Sequence, residues 1–470
     1  MNTLLENDQR EIVNILAQTI RVAEKYYKDQ KSLPPSRLVP DLPNQTIPSE
    51  GFGALGTLEY FAQNHASSMA NSAGPRYFGF VTGGATPASV AGDWLVSVYD
   101  QVMSGSNDSV AHAIERQTIS FLLDFFGLGN DFKGTFVTGA TMSNFVSLAT
   151  ARQWIGEQRG VDFSEDGGNG IAIKIVSATP HSSILKSLSM LGMGRKSWVP
   201  IDTNPGRESI DVLKLEQYLA THPEPCIVVA NAGTVNTVDF DDLLAIAALK
   251  KKYNFFFHVD AAFGGFAAAS PLYAYLVRGL EYADTITIDA HKWLNVPYDC
   301  AMQFTRHRAL QVKVFQNNAA YLGDPTVTPD SMHLTPENSR RFRALPVWFS
   351  LMAYGKNGYR DIVERNCSSA RRLGELINKS NSFKMLAPVR MNVVCFTLRD
   401  HSSLEEVRAF LGRVRDDGHV FFTPTVYKNT PAIRAAISNW QTTDDDVELG
   451  FHVLQKIHEL SFKMAAEPLS

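Results

Sequence analysis

Each of five short apolar runs in the middle of the chain leads directly into residues that can do chemistry. The runs and the residues that end or follow them are Thr138–Thr141 after 134–137, His181 after 171–178, Thr234 after 226–230, Asp260 at the end of 255–260, and Asp289, His291 and Lys292 after 285–288. Taken singly, each has an ordinary structural interpretation as a turn, a cap or a solvated side chain. Ligands of parallel α/β sheets bind beyond the carboxyl ends of the strands, so we expect these residues to meet at one edge of a sheet.

Together, these residue types suit one cofactor, pyridoxal 5'-phosphate. Lys292 can form the Schiff base, and Asp260 can hold the ring nitrogen in its protonated form. Ala140 and Thr141 stand at a predicted helix N-terminus, where free amides bind anions such as a phosphate group.

The elements that must position these residues form an alternating pattern between about residues 130 and 305. Helix-length segments such as 143–154 and 241–253 separate the apolar runs, and this alternation predicts an α/β fold with a mostly parallel sheet covered by helices. After about residue 340 the pattern predicts a smaller α+β domain. Its elements are helices over 348–378 with a break, strands near 393–398 and 433–437, and a closing helix near 443–461.

The beginning of the chain reads as a helical arm and a linker. Residues 8–29 carry apolar side chains at helical spacing, and the proline-rich stretch 33–48 cannot continue a helix. Such an arm packs either on a partner subunit or on the core of its own chain. The predicted domains are the arm and linker (1–60), a large cofactor-binding α/β domain (61–335) and a small C-terminal α+β domain (336–470).

Composition excludes several classes of protein. With 470 residues, 44% hydrophobic, 20% charged and a net charge of -4, the chain is an ordinary globular protein without a basic surface for nucleic acid or anionic membranes. Its 4 cysteines are too few and too scattered for a disulfide framework or a zinc cluster, so we expect no metal. The start MNTLLENDQRE lacks the features of a signal peptide, and no apolar run is long enough to span a membrane. We therefore expect a soluble, cytoplasmic protein.

The motifs resemble those of the group II pyridoxal-phosphate decarboxylases, which include aromatic-L-amino-acid and glutamate decarboxylases, over roughly residues 50–465. The resemblance implies a fold-type I enzyme that decarboxylates an L-amino acid. It also implies one role for each matching motif: Asp260 in HVDAAFGG as partner of the ring nitrogen, Lys292 in DAHKWLNVPYDC as the Schiff-base lysine, His181 in TPHSSILKS stacking on the ring, Ala140 and Thr141 in TGATMSN as phosphate contacts with His291 nearby, and Arg434 in IRAAISN meeting the substrate carboxylate.

The same resemblance implies a reaction type and an assembly. Family decarboxylases carry a loop tyrosine 29 positions after the lysine, which here is Tyr321. Its implied role is to protonate the α-carbon after carbon dioxide leaves, in the active site of the partner subunit of a homodimer. Relatives with phenylalanine there make aldehydes by oxidative deamination, so Tyr321 together with His181 favours simple decarboxylation.

The chain departs from the family pattern at several positions. A threonine pair near the cofactor is here Thr234-Val235, which leaves only Thr234 as a cofactor contact. Where relatives commonly have asparagine, three residues before the lysine, this chain has Asp289. Its position makes it a candidate cofactor contact, although a carboxylate is electrostatically awkward beside a phosphate. Within the segment that matches the substrate pocket, Phe80 and Thr82 are the candidate substrate contacts, and either an aromatic or an acidic amino acid fits.

Two alternatives stay open at this point, and a third is weak. One is an aldehyde synthase or another pyridoxal-phosphate lyase, and another is a catalytically inactive family member with a binding role. A nicotinamide oxidoreductase is disfavoured because no G-x-G-x-x-G follows a strand with an acid about 20 residues on. A serine hydrolase would need a G-x-S-x-G elbow, and a metallohydrolase would need a ligand cluster, neither of which we find in the sequence.

Overall fold

The computed structural model describes residues 1–37, 41–104, 109–168, 170–317, 330–399 and 403–466, with the side chains of 462–466 left out. The helices are α1 Thr3–Arg10, α2 Ile12–Asp29, α3 Gly53–Asn64, α4 Pro87–Tyr99, α5 Ala111–Phe125, α6 Ala140–Gln158, α7 Ser182–Met190, α8 Val212–Thr221, α9 Leu243–Leu249, α10 Ala290–Trp293, α11 Arg308–Phe315, α12 Ala344–Lys379, α13 Leu404–Asp417 and α14 Asp444–Ala466. The strands are β1 Lys133–Val137, β2 Ile175–Ser177, β3 Trp198–Pro200, β4 Cys226–Asn231, β5 Phe255–Asp260, β6 Thr285–Asp289, β7 Ala301–Thr305, β8 Phe383–Met385, β9 Val393–Leu398, β10 Thr423–Tyr427 and β11 Thr430–Ala436.

Seven of these strands form the large sheet, in the order β1-β7-β6-β5-β4-β2-β3. Neighbours from β6 to β3 run parallel, whereas β7 lies antiparallel to both β1 and β6. Strands β4, β5 and β6 are buried along their whole length, and their sequences are accordingly rich in apolar and β-branched residues. The predicted α/β class with a mostly parallel sheet is confirmed.

A second, antiparallel sheet, in the order β10-β11-β9-β8, forms with α13 and α14 the smaller α+β unit near the C-terminus. The segment before α4 joins it, since the Phe78 amide donates to the carbonyl of Phe421 and the Phe78 carbonyl accepts from Ala436. Helix α12 connects the two cores and bends at Gly355, whose φ of 56° is a left-handed conformation that favours glycine.

The N-terminal arm lies on the surface. None of the side chains of α1 or α2 is buried, and Leu5, Val13 and Leu16 are exposed. The arm is attached by a few polar contacts, such as Tyr26 Oη donating to Asn71 Oδ1 at 2.8 Å. Across the described residues, we find no helix with the length and apolar character needed to cross a membrane.

Candidate active site

The carboxyl ends of β4, β5 and β6 open into a cleft of about 760 Å³ between the large sheet and the small one. Its floor carries Lys292, Asp260 and His181, and the small sheet contributes Arg434 and Thr423. The large sheet therefore brings Lys292, Asp260 and His181, which end or follow three of its strands, into one cleft, as the sequence predicts. Phe80 and Thr234 also line this cleft.

Lys292 lies in the short helix α10, directly after β6. Its Nζ is 2.9 Å from Asp289 Oδ2 and 5.7 Å from the centre of the Phe263 ring. The backbone of Gly83 packs against this turn so closely that an added Cβ would lie 1.7 Å from the Lys292 carbonyl oxygen. The lysine is thus held on a rigid, closely packed turn with its amine facing the cleft.

Asp260 ends β5 and is nearly buried. Asn144 Nδ2 donates to its Oδ2 at 3.0 Å, and the Ala262 amide donates to its Oδ1 at 3.2 Å. Behind Asn144 stands His258, whose Nε2 is 2.9 Å from Asn144 Oδ1 and whose Nδ1 is 2.9 Å from Thr285 Oγ1. These contacts fix the orientation of the Asp260 carboxylate from the protein side.

Burial lowers the pKa of His258 to about 4, so its ring is neutral near pH 7. Because the Asn144 oxygen can only accept, the ring proton of His258 sits on Nε2 and its Nδ1 accepts from Thr285. The chain Thr285–His258–Asn144 therefore holds Asp260 without placing a positive charge beside it.

His181 is the N-cap of α7 and lines the cleft. Its Nδ1 is 2.8 Å from Ser183 Oγ, which itself accepts from Asn144 Nδ2 at 3.0 Å. The Ser183 hydroxyl hydrogen is therefore free to point at Nδ1, and the ring carries its own proton on Nε2. Partial removal from water lowers the pKa of His181, the charges of Lys292 and Arg434 act in the same direction, and Asp260 opposes them.

Arg434 lies on β11, opposite Thr423 of β10, and is almost fully buried. Its Nη1 donates to the Val235 carbonyl at 2.8 Å, and no carboxylate of the described residues lies within ion-pair distance of it. Burial lowers the pKa of Arg434 to about 10, which leaves it charged near pH 7. An unpaired guanidinium beside the unpartnered hydroxyl of Thr423 can bind an anion.

The predicted phosphate contacts lie at the first turn of α6. The Ala140 amide donates to Asp289 Oδ1 at 2.7 Å, and the Thr141 carbonyl accepts from Ser187 at 3.4 Å. His291 stacks on Tyr298 with ring centres 4.1 Å apart, and burial lowers the pKa of His291. These groups surround the end of β6 but do not line the open part of the cleft.

The remaining predicted residues have less direct positions. The Thr234 hydroxyl donates to Glu208 Oε2 at 2.5 Å and accepts from the Asp239 amide at 2.9 Å, so its hydrogen-bonding capacity is largely used within the protein. Thr82 is buried against Tyr298 and is not among the side chains that line the cleft. Tyr321 lies outside the described residues.

Sequence reasoning did not assign a role to Asn144, His258 or Glu208. Asn144 and His258 belong to the motifs TGATMSN and HVDAAFGG, so the sequence places both near the cofactor site. The sequence gives no sign that the two side chains contact each other. Glu208 lies in a loop without a motif, and only the structure brings it to Thr234 and Thr237.

Residues 35–399 match the family model described as "Pyridoxal-dependent decarboxylase conserved domain". The chain belongs to this family. Among curated proteins it is similar to an aromatic-L-amino-acid decarboxylase of Bacillus atrophaeus, with 26% identity over 89% of this chain and 87% of that protein. The prediction of a pyridoxal-phosphate-dependent amino-acid decarboxylase is confirmed at the level of the family.

Solved structures of the same fold align with nearly the whole length of this chain. Oryza sativa TDC, solved with PLP and tryptamine, aligns with a TM-score of 0.86 and 20% identity over 96% of this chain and 98% of that chain. Rhodiola rosea 4-hydroxyphenylacetaldehyde synthase aligns with a TM-score of 0.82 and 19% identity over 98% of this chain and 99% of that chain. These likenesses concern the fold, which serves proteins with differently named activities.

Proposed function

We propose that Lys292 binds pyridoxal phosphate covalently in the cleft and that the loaded protein decarboxylates an acidic or aromatic L-amino acid to its amine. The observation that carries this proposal is the convergence of Lys292, Asp260, His181 and Arg434 on one cleft. Pyridoxal phosphate, when bound, supplies an electron-withdrawing ring that accepts the electron pair left behind as a carboxylate departs as carbon dioxide.

Asp260 would hold the ring nitrogen in its protonated state. The carboxylate is oriented by Asn144 and the Ala262 amide, so it needs no rearrangement to accept from an N–H in the cleft. Because the neighbouring His258 is neutral, the negative charge of Asp260 stays available for that positive partner. Lys292, which lines the same cleft, would supply the amine for covalent attachment.

His181 and Arg434 would orient the reacting groups. His181 presents its Nε2–H to the cleft, with the other nitrogen held by Ser183, so the ring plane is set by the protein. Arg434 would bind a substrate carboxylate, because it is buried, charged and unpaired within the described part of the chain. Phe80 and Trp198 add aromatic surface, which suits an aromatic side chain.

We further propose a homodimer, with Tyr321 of one subunit serving the cleft of the other. The support is an exposed apolar face on the arm, which includes Val13 at 77% and Leu5 at 61% exposure. Exposed apolar patches mark sites of protein–protein contact, and a second copy of this chain would cover both arms symmetrically. A cytoplasmic location fits the 4 cysteines, all of which are free and buried.

The decisive experiment incubates the cofactor-loaded protein with each common L-amino acid and follows carbon dioxide, amine, aldehyde and hydrogen peroxide. Amine and carbon dioxide without peroxide are expected. Formation of aldehyde with hydrogen peroxide would show that the protein is an oxidative aldehyde synthase. The absence of product with every amino acid would refute the proposal. Lys292→Arg is the matched control, since it keeps the positive charge but cannot attach the cofactor.

The dimer and the role of Tyr321 have separate tests. Light scattering should give twice the mass of one chain, and a monomer at working concentration would refute the assembly. Tyr321→Phe should divert product from amine to aldehyde. Mixing Lys292→Ala with Tyr321→Phe chains should restore amine formation in hybrid dimers. If no amine forms after confirmed subunit exchange, each site lies within one chain.

A further inference from the structure

Asp289 holds a position that the cofactor's phosphate group also needs. It is the last residue of β6 and is almost completely buried, with 2% of its surface exposed. Its Oδ1 accepts from the Ala140 amide at 2.7 Å, and its Oδ2 is 2.9 Å from Lys292 Nζ. The carboxylate thus joins the first residue of α6 to the lysine, across 149 positions of sequence.

The first turn of α6 is an anion site by its geometry. The free amides of a helix N-terminus and the helix dipole favour negative charge there, and α6 is a 19-residue helix. Ala140 and Thr141 of this turn are the residues that the family resemblance implies as contacts of the cofactor phosphate. In the structure, one of these amides is already taken by a carboxylate.

The charge of Asp289 is compensated mainly by Lys292. Among the residues that the structure describes, the other basic group near it is His291, whose Nε2 is 3.7 Å from Oδ1, but burial lowers the pKa of His291 and leaves it neutral near pH 7. A phosphate that arrives at the same turn therefore meets a second anion in a site shielded from water, where like charges repel strongly.

We propose that Asp289 is a positioning residue that competes with the phosphate group of the cofactor for the N-terminus of α6. In the cofactor-free protein it caps this helix and holds the amine of Lys292, and binding of the phosphate displaces it from the Ala140 amide. The protein therefore binds phosphorylated cofactor more weakly than it would with an uncharged residue at position 289. This inference rests on the cofactor placement proposed above.

The test compares pyridoxal 5'-phosphate with pyridoxal, which has the same ring and aldehyde but no phosphate. Dissociation constants of both are measured by absorbance titration of the cofactor-free protein, for the natural chain and for Asp289→Asn. Asparagine keeps an oxygen that can accept from Ala140 but removes the charge. We expect the ratio of the two constants to shift toward pyridoxal 5'-phosphate by about tenfold or more, or about 1.4 kcal/mol.

Asp299→Asn is the matched control. It removes the same charge from a carboxylate close by, which is half-exposed and paired with Arg343 at 2.8 Å. Its effect on the ratio should be several-fold smaller. Inorganic phosphate should also compete with pyridoxal 5'-phosphate more strongly in Asp289→Asn than in the natural chain, and circular dichroism of each variant checks that the fold is kept.

Three results would overturn the inference. Two unchanged dissociation constants would mean that Asp289 does not oppose the phosphate, and a ratio shifted toward pyridoxal would mean that it helps to bind the phosphate. An equal decrease of both dissociation constants would show that Asp289 acts only through its contact with Lys292. A protein that shows the expected shift in ratio but turns over no amino acid would refute the proposed function and leave this inference standing.

Discussion

Replacement of Asn144 by alanine tests whether the contacts behind Asp260 hold the active site together. The amide of Asn144 is fully buried and makes three hydrogen bonds: to Asp260, to Ser183 and from His258. Alanine removes all three, and it leaves the buried Nε2–H of His258 without its acceptor.

The magnitude follows from these bonds. A hydrogen bond to a charged group contributes about 2 kcal/mol and a neutral one about 1 kcal/mol. The bond to Asp260 is of the first kind and the other two are of the second, so we expect the free energy of unfolding to fall by roughly 4 kcal/mol. The affinity for pyridoxal phosphate should fall as well, because Asp260 loses the group that orients it.

The assay is urea denaturation of the cofactor-free protein, followed by cofactor titration. Asn392→Ala serves as the matched control, since Asn392 is equally buried but neither atom of its amide has a hydrogen-bond partner among the residues described. Its replacement should cost much less. A double-mutant cycle with His258→Ala should be non-additive, because the two side chains are in direct contact.

The reasoning would be refuted by a loss of less than about 1 kcal/mol in Asn144→Ala, the least that one broken buried hydrogen bond should cost. A loss equal to that of Asn392→Ala would refute it too, since it would reduce the effect to lost volume. Additive effects in the cycle would show that Asn144 and His258 act independently.

Three other predictions concern pH, packing and a buried ion pair. The pKa of His258 is lowered to about 4 from an ordinary 6.5, so between these pH values the unfolded chain binds a proton that the folded chain does not. The natural chain should therefore lose more stability than His258→Gln when the pH falls from 7 to 5, and a steeper loss for His258→Gln in urea titrations would contradict this. Gly83→Ala should lower the free energy of unfolding by about 1–3 kcal/mol and weaken cofactor binding, because the added Cβ would clash with the Lys292 carbonyl. An unchanged cofactor titration would show that the turn can shift to accommodate the Cβ. Arg340→Met should lower the free energy of unfolding by about 3–5 kcal/mol, because it leaves Glu115 without its ion-pair partner. Adding Glu115→Leu should restore most of the lost stability in thermal unfolding, whereas a further loss would refute the pairing.

Several elements of the fold could be predicted from the sequence. Strands β5 and β6 and strand β9 of the small sheet match the predicted ranges to within one residue, because each is a short segment rich in apolar and β-branched residues. Strand β7 was not predicted. It contains a glutamine and threonine among its five residues and lies antiparallel between β1 and β6, a place that depends on pairing with distant segments.

The sequence by itself determined which chemical groups end the central strands, and hence the cofactor class. This information is local, since a strand and the residue that ends it are neighbours in the chain. The tertiary structure alone decided how those groups are held. His258 meets Asn144 across 114 positions and Asp289 meets Ala140 across 149, and contacts over such distances depend on the packing of α6 against the sheet. No periodicity or motif in the sequence reveals these contacts, because the local pattern around one residue does not depend on its distant partner.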